Sequence, residues 1–323
     1  MKKVILVTAV GTWSAEAVIG SLIDQGFVVI GTDLFPPEYD PTTAPLCADF
    51  MQVVKAGSEP ELYCAELLEF ASRNSCYDIL PLMDPEVDVL SENRDLFENR
   101  GIHIWLCDKN TISNSRRKDV WSKRLNFCNE FSVIPSYTSF EDLKLEYEGD
   151  FVAKKVKGRS SEGIFFGNTG KDSNLRVWDE DEYLFQPYIA GSVITVDFVR
   201  HPLSRHVVSL PRKELVRTKT GGGTVVEILN PDLTKNAVEE LTSALNITGV
   251  MNCEFILSKE GVLYLMDINP RFSAGVSFSL RAGYDFVRAA VDCRFSRDII
   301  PEETVRSGKI YVKRYVDFES QTL

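Results

Sequence analysis

The 323-residue chain has no apolar run long enough to cross a membrane, no tandem repeat and no low-complexity tract. It also lacks a Walker-type phosphate loop, because no Gly-Lys-Ser/Thr opens a helix. None of its seven cysteines stands in a C-x-x-C pair or a Cys/His zinc spacing, and an odd number argues against a complete disulfide framework. They read as reduced thiols. Met1-Lys2-Lys3-Val4 runs straight into a strand with no signal peptide, so the expected location is cytoplasmic. Basic residues are the minority, 36 against 47 acidic, for a net charge of −11. That disfavours a general nucleic-acid surface, yet leaves room for a local basic pocket. No membrane partner is expected. What remains is ordinary globular composition, 44% hydrophobic and 26% charged, at a length that exceeds one compact domain.

Two apolar runs, Val250 to Leu257 and Val262 to Ile268, flank the turn Ser258-Lys259-Glu260-Gly261 and predict a β-hairpin. Glu254 lies on one strand and Asp267 on the other. Period-two alternation puts Asp267 and Asn269 on one face, and the hairpin can bring Glu254 to it. Two carboxylates and an amide oxygen make a hard, oxygen-only site of the kind Mg²⁺ prefers and shares with phosphates. Mn²⁺ is the alternative metal. Arg271, after Pro270, adds a planar fork suited to a phosphate or acyl-phosphate. The blander alternative is a polar hairpin with a surface arginine.

Residues 1–110 alternate strand and helix: Val4 to Val10, Ala15 to Asp24, Phe27 to Ile30, Glu61 to Arg73, Ile79 to Met83, Val87 to Leu96, Ile102 to Leu106. This predicts a doubly wound, Rossmann-like α/β domain. Its first turn, Ala9-Val10-Gly11-Thr12-Trp13-Ser14, has one glycine where a dinucleotide fingerprint needs three, so Asp33 alone is weak support for NAD. Asp84-Pro85-Glu86 follows a buried strand, where ligands bind in such sheets; a helix cap explains it equally well.

Residues 111–190 are read as a second, mobile unit. Asp108 to Ser115 holds turn and cap residues, and Arg116-Arg117-Lys118-Asp119 opens a helix to about Asn129. Lys154 lies within the strand Phe151 to Val156, followed by the loop Lys157-Gly158-Arg159-Ser160-Ser161-Glu162-Gly163 and a further strand. Such a strand–loop–strand offers backbone N–H groups and a cation to phosphates, or is a surface hairpin. Tyr183 to Ile189 reads as a connecting strand.

Residues 191–323 hold a long strand from Gly191 to Val199, the basic run Pro211 to Lys219 with Gly221-Gly222-Gly223, a helix from Leu233 to Leu245, the hairpin, a helix from Phe286 to Phe295, and a last strand-like piece from Ile310 to Phe318. The basic run is a candidate anion site or a charged edge strand.

The order of these parts resembles the ATP-grasp superfamily, carbamoyl-phosphate-synthase-like members in particular, whose signature is an acid on one strand and acid-x-Asn-Pro-Arg on the next. The resemblance implies an ATP-grasp fold: α/β, with α+β character in the ATP-binding part. It would comprise a pre-ATP-grasp domain (1–110), a lid (111–190) and a C-terminal antiparallel-sheet subdomain (191–323). It implies that Glu254, Asp267 and Asn269 hold Mg²⁺, and that ATP is bound by Lys118, Lys154, Ser160, Ser161, Gly163, Gln186, Pro187 and Ile189. Gln186 takes the polar hinge position, while Val193 stands where a ribose-binding Glu is common. Arg271 and Arg212 would act on the transferred phosphoryl group, with Arg217 as second choice to Arg212. The activity implied is ATP-dependent ligation of a small carboxylate to an amine through an acyl-phosphate, by a chain that forms a homodimer. Phosphorylation of bicarbonate or carbamate, or ATP binding without efficient catalysis, are the alternatives.

Overall fold

The computed structural model describes residues 3–155, 163–171, 182–219, 221–301, 305–314, 316, 317 and 319, with only the backbone of Asp119. Lys3–Thr8 (β1) is buried over its last four residues, as a central strand covered on both faces requires. Ala15–Asp24 (α1), Phe27–Asp33 (β2), Phe50–Gln52 (β3), Pro60–Arg73 (α2), Asp78–Leu80 (β4), Asp84–Glu92 (α3), Arg94–Glu98 (α4) and His103–Ile104 (β5) follow. The five strands form a parallel sheet in the order β3-β2-β1-β4-β5, the doubly wound unit expected. The edge strand β3 escaped the sequence reading because three half-exposed residues carry no period.

Lys109–Arg116 (α5) and Lys118–Arg124 (α6) correct the expectation of one helix starting at Arg116. Asp108 caps α5 by accepting from the N–H groups of Asn110 and Thr111, which makes a polar Ser/Asn/Thr stretch helical. Arg117, at φ −101° and ψ 88°, breaks the helix and starts α6 at Lys118.

Ser132–Val133 (β6), Phe140–Glu146 (α7), Asp150–Lys155 (β7), Phe165–Asn168 (β8) and Tyr183–Pro187 (β9) come next. The last three strands pair antiparallel in the order β8-β7-β9. They enclose a small core of Phe140, Leu143, Phe151, Ala153, Tyr183 and Phe185.

The remaining elements are Gly191–Arg200 (β10), Val207–Arg217 (β11), Gly223–Ile228 (β12), Lys235–Ala244 (α8), Gly249–Ser258 (β13), Leu263–Asn269 (β14), Val276–Ala282 (α9), Phe286–Arg294 (α10) and Ile310–Val312 (β15). Six of these strands and β6 form one sheet in the order β15-β12-β11-β10-β13-β14-β6. It is antiparallel except where β6 runs parallel to β14.

Apolar packing runs across the expected segments. Ile112, Trp121, Leu125 and Phe131 share a core with Ile194, Phe255 and Leu265 of the large sheet. The helices α5 and α6 thus pack on that sheet, and α5 is also tied to α3 through Arg116, which pairs with Asp84 and Asp88. A second core runs from Ile5, Val7 and Val18 of the first domain to Phe272, Val276 and Phe286. The first domain and the large sheet are thus joined by continuous apolar packing, and the small sheet has a core of its own. Among the described residues no helix is long and apolar enough to cross a membrane.

Candidate functional site

Strands β13 and β14 place Glu254 directly opposite Asp267 and Asn252 directly opposite Asn269. A bulge beside Glu254 drops Met266 out of the pairing, which re-aims the end of β14. Cross-strand partners lie about 5 Å apart at Cβ, so the two carboxylates share one small space. Burial raises the Glu254 pKa; Arg217 opposes that, and the neighbouring Asp267 adds to it. Each acid already faces a cation. Arg217 Nη2 is 2.7 Å from Glu254 Oε1, and Lys118 Nζ is 3.1 Å from Asp267 Oδ1.

The amide of Asn269 is oriented by a short chain of hydrogen bonds. Asn252 Nδ2 donates to the carbonyl of Arg271 at 2.8 Å, and Asn269 Nδ2 donates to Asn252 Oδ1 at 3.2 Å. With its nitrogen used this way, Asn269 can turn its amide oxygen to a cation. A like-charge carboxylate pair, part-desolvated and flanked by an amide oxygen, fits a hard divalent ion whose other ligands are phosphate and water oxygens. Among the described residues no group of three or more His, Cys, Asp and Glu is gathered for a metal, so the protein alone would supply a partial shell.

Two cavities meet at this pair. One, about 340 Å³, lies between the small sheet and the large one and is lined by Val152, Phe166, Pro187, Ile189 and Ile256 with Lys154 and Gln186. The other, about 660 Å³, is lined by Arg116, Arg212, Glu214, Asn269, Arg271 and the Gly221–Gly223 loop among others. Lys118, Arg217, Glu254 and Asp267 belong to both walls.

The structure thus brings Lys118, Lys154, Gln186, Pro187 and Ile189 to the smaller cavity and Asn269, Arg271 and Arg212 to the larger. Lys154 sits inside, where desolvation and then the nearby Lys118 lower its pKa to about 7. Gln186 is buried and held by Nε2 donating to Ser136 Oγ at 2.6 Å. Gly163 takes a left-handed φ of 70° beside the Lys155 stem, one residue before the lining residue Ile164. Ser160 and Ser161 lie outside the described residues.

The two arginines singled out by sequence are already engaged. Arg271 gives Nε and Nη2 to Asp84 at 2.9 and 2.7 Å, and Nη1 to the Phe272 carbonyl at 3.0 Å. Arg116 Nη2 reaches the same Asp84 at 2.8 Å. Burial would raise the Asp84 pKa, but the two guanidiniums reverse this and hold it well below the usual carboxylate range. Arg212 is 2% exposed and gives Nη1 to Asp197, Nε to Glu214 and Nη2 to Ser273 Oγ. Arg217, on both walls, is the better placed of the two on β11.

Sequence reasoning missed Asn252, Thr195 and Glu214. Asn252 was findable, since it lies two residues before Glu254 on the same strand face. Glu214 was hidden in a basic run that reads as surface charge. Thr195 faces the site only because β10 sits between β11 and β13, and no local pattern announces that order.

A model of the ATP-grasp domain family matches residues 119–275. Biotin carboxylase from Campylobacter jejuni, in a beta-gamma-ATP complex, superposes with a TM-score of 0.77 at 16% identity, over 96% of this chain and 74% of that one. The biotin carboxylase domain of the Hydrogenobacter thermophilus 2-oxoglutarate carboxylase, a dimer in complex with MgADP, ADP and bicarbonate, gives 0.75 at 15%, over 96% and 73%. N5-carboxyaminoimidazole synthetase from Staphylococcus aureus gives 0.71 at 16%, over 97% and 81%. Comparison with curated proteins finds no match. The three-sheet architecture and the paired acids on a hairpin define an ATP-grasp fold. Residues 119–275, just under half of the chain, match the ATP-grasp domain family, and the solved structures share the fold over nearly the whole chain.

Proposed function

We propose that the protein is an ATP-dependent, ADP-forming ligase that joins a small carboxylate to an amine. The observation that carries this reading is the meeting of two different cavities at Glu254 and Asp267. The smaller is mostly apolar with one buried amide, suited to a purine and ribose. The larger is polar and charged, suited to a second, hydrophilic reactant. A nucleotide with its base near Gln186 and Ile189 would present its terminal phosphate at the shared wall.

Glu254, Asp267 and Asn269 would hold Mg²⁺, which when bound neutralises phosphate charge and orients the transferred group. Lys154 would face phosphate oxygens from the small sheet, and Lys118 and Arg217 from the large one. These cations would stabilise charge on the phosphoryl group as the substrate carboxylate attacks. The new C–O–P bond forms as the bond to the ADP oxygen breaks. Arg271 lines the acid's side of the junction, held in place by Asp84. A neutral amine then forms the C–N bond as the C–O bond to phosphate breaks, and its nitrogen gives up one proton to the departing phosphate or to water. A cavity of about 660 Å³ is far larger than bicarbonate needs, which favours an organic acid. A homodimer and a cytoplasmic location go with this reading.

The test is phosphate release from Mg-ATP with pools of carboxylic acids and amines. Release that needs both pools and disappears in Asp267→Ala supports the ligase. Silence in every pool, or AMP as product, would contradict it.

A further inference from the structure

The larger cavity has an arm between α3 and α5 that no step of the proposed reaction uses. Asp84, Asp88, Ser91 and Glu92 line it from one face of α3. Lys109, Ile112, Ser113 and Arg116 line it from one face of α5. The two helices run antiparallel along it. Arg116 reaches Asp84 and Asp88 at 2.8 and 2.9 Å, while Lys109 Nζ lies 3.5 Å from the main-chain carbonyl of Glu92.

The ends of the arm differ. At the inner end the charges are answered, because Asp84 and Asp88 hold Arg116 and Asp84 also holds Arg271. At the outer end they are not. Glu92 and Lys109 are exposed, and neither side chain forms an ion pair among the described residues. Between the ends, Ser91 is 3% exposed, yet its hydroxyl makes no hydrogen bond and still opens on the cavity. A nearly buried helical serine ordinarily bonds back to a carbonyl of the preceding turn or to a neighbour. An unpaired anion, an unpaired cation and an unbonded hydroxyl at one end of a cavity match a ligand group that carries both charges. The rise of the helix puts Glu92 about 12 Å along the axis from Asp84, and Asp84 is bonded to Arg271 at the reacting end. One molecule that touches both ends is therefore extended.

Building on the ligase reading above, we infer that the acid it activates carries an amino-acid head group, an ammonium beside a carboxylate, at the end remote from the reacting carboxylate. The ammonium sits on Glu92 and the Ser91 hydroxyl, and the head carboxylate on Lys109. The substrate class is an extended diacid with one amino-acid end. The arm selects it by charge: an acid without the ammonium leaves Glu92 facing a like-charged head, and one without the head carboxylate leaves Lys109 unanswered.

Three eight-carbon acids test this with Mg-ATP, hydroxylamine trapping the acyl-phosphate as hydroxamate. 2-Aminosuberate has both head charges, suberate lacks the ammonium, and 8-aminooctanoate lacks the head carboxylate. In the wild type, 2-aminosuberate is expected to have a KM tenfold or more below the other two, with the hydroxamate on the carboxylate remote from its amine. Glu92→Gln should cut its advantage over suberate to threefold or less, and Glu92→Lys should reverse it. Lys109→Met should cut its advantage over 8-aminooctanoate in the same way. Both positions are exposed, and melting curves check that each variant is folded. Equal KM values for the three acids in the wild type, or variants that move all three in parallel, would overturn the inference. Hydroxamate from pooled acids with none from 2-aminosuberate would overturn it too. A wild type that makes no hydroxamate with any acid would instead remove the ligase reading on which it rests.

Discussion

Arg271 and Asp84, 187 positions apart, form a two-bond fork, Nε to Oδ1 at 2.9 Å and Nη2 to Oδ2 at 2.7 Å. The pair ties the first domain to the end of β14. Since Arg116 shares the same carboxylate, one acid holds two guanidiniums in the wall of the larger cavity. Asp84→Asn would leave those cations facing each other. The side chains keep 10 to 23% exposure, so water screens part of the loss. A destabilisation of about 2 kcal/mol is expected, below the range for a fully buried pair. Because the folded-state pKa is depressed, this stabilisation is full above the ordinary value of 3.8 and fades as pH falls further. Denaturant unfolding of both proteins across pH checks it: the gap should be wide at pH 7 and narrow in acid.

Glu86 carries a different prediction. It sits beneath the first turn, accepting from Thr8 Oγ1 at 2.5 Å, and burial pushes its pKa from 4.5 up to about 7. The folded state keeps a proton that the unfolded chain has lost. Its contribution therefore falls as pH rises between these two values, by on the order of 3 kcal/mol. In Glu86→Gln this part of the stability–pH slope should be missing. Identical slopes in the two proteins would show that Glu86 does not titrate there.

Lys154 predicts a proton linked to nucleotide binding. Desolvation holds its pKa at about 7. Phosphate oxygens beside it would favour the charged form and return the pKa upward. At about pH 8, binding of Mg-ATP should then take up close to one proton. Calorimetry in buffers of different ionisation enthalpy measures it, and Lys154→Met should bring the uptake near zero.

Lys118 pairs with Asp267, so it competes with a metal and cooperates with a nucleotide. Lys118→Met is expected to tighten Mn²⁺ binding in the absence of nucleotide. The same change should weaken Mg-ATP by about tenfold, or about 1.4 kcal/mol. Electron paramagnetic titration of Mn²⁺ and nucleotide binding read the two effects. A change of the same sign in both would contradict the pairing as described.

Much of this was legible in the chain because its signals are local. The alternation around Glu254 and Asp267 predicted a hairpin, and the register set them opposite each other. The continuous apolar run of β1 predicted a central parallel strand, and β1 lies in the middle of its sheet. What stayed hidden depends on contacts between distant segments. Asp84 could not be assigned to Arg271 without knowing how the first domain packs on the large sheet. Helix α5 was missed since its Ser, Asn and Thr content favours loops unless a cap such as Asp108 intervenes. Glu214 looked like surface charge because its burial comes from Gly223 on the neighbouring strand β12 and from Arg212 beside it.

The central claim is that the carboxylate attacks the terminal phosphorus at Glu254 and Asp267 before any amine is needed. Positional isotope exchange tests it most directly, with ATP carrying a heavy-oxygen label in the bridge between its β and γ phosphates. The account predicts scrambling that needs Mg²⁺ and an acid from the active pool, proceeds without amine, and vanishes in Asp267→Asn. Label that never scrambles while amide still forms, or scrambling into AMP and pyrophosphate, would contradict it.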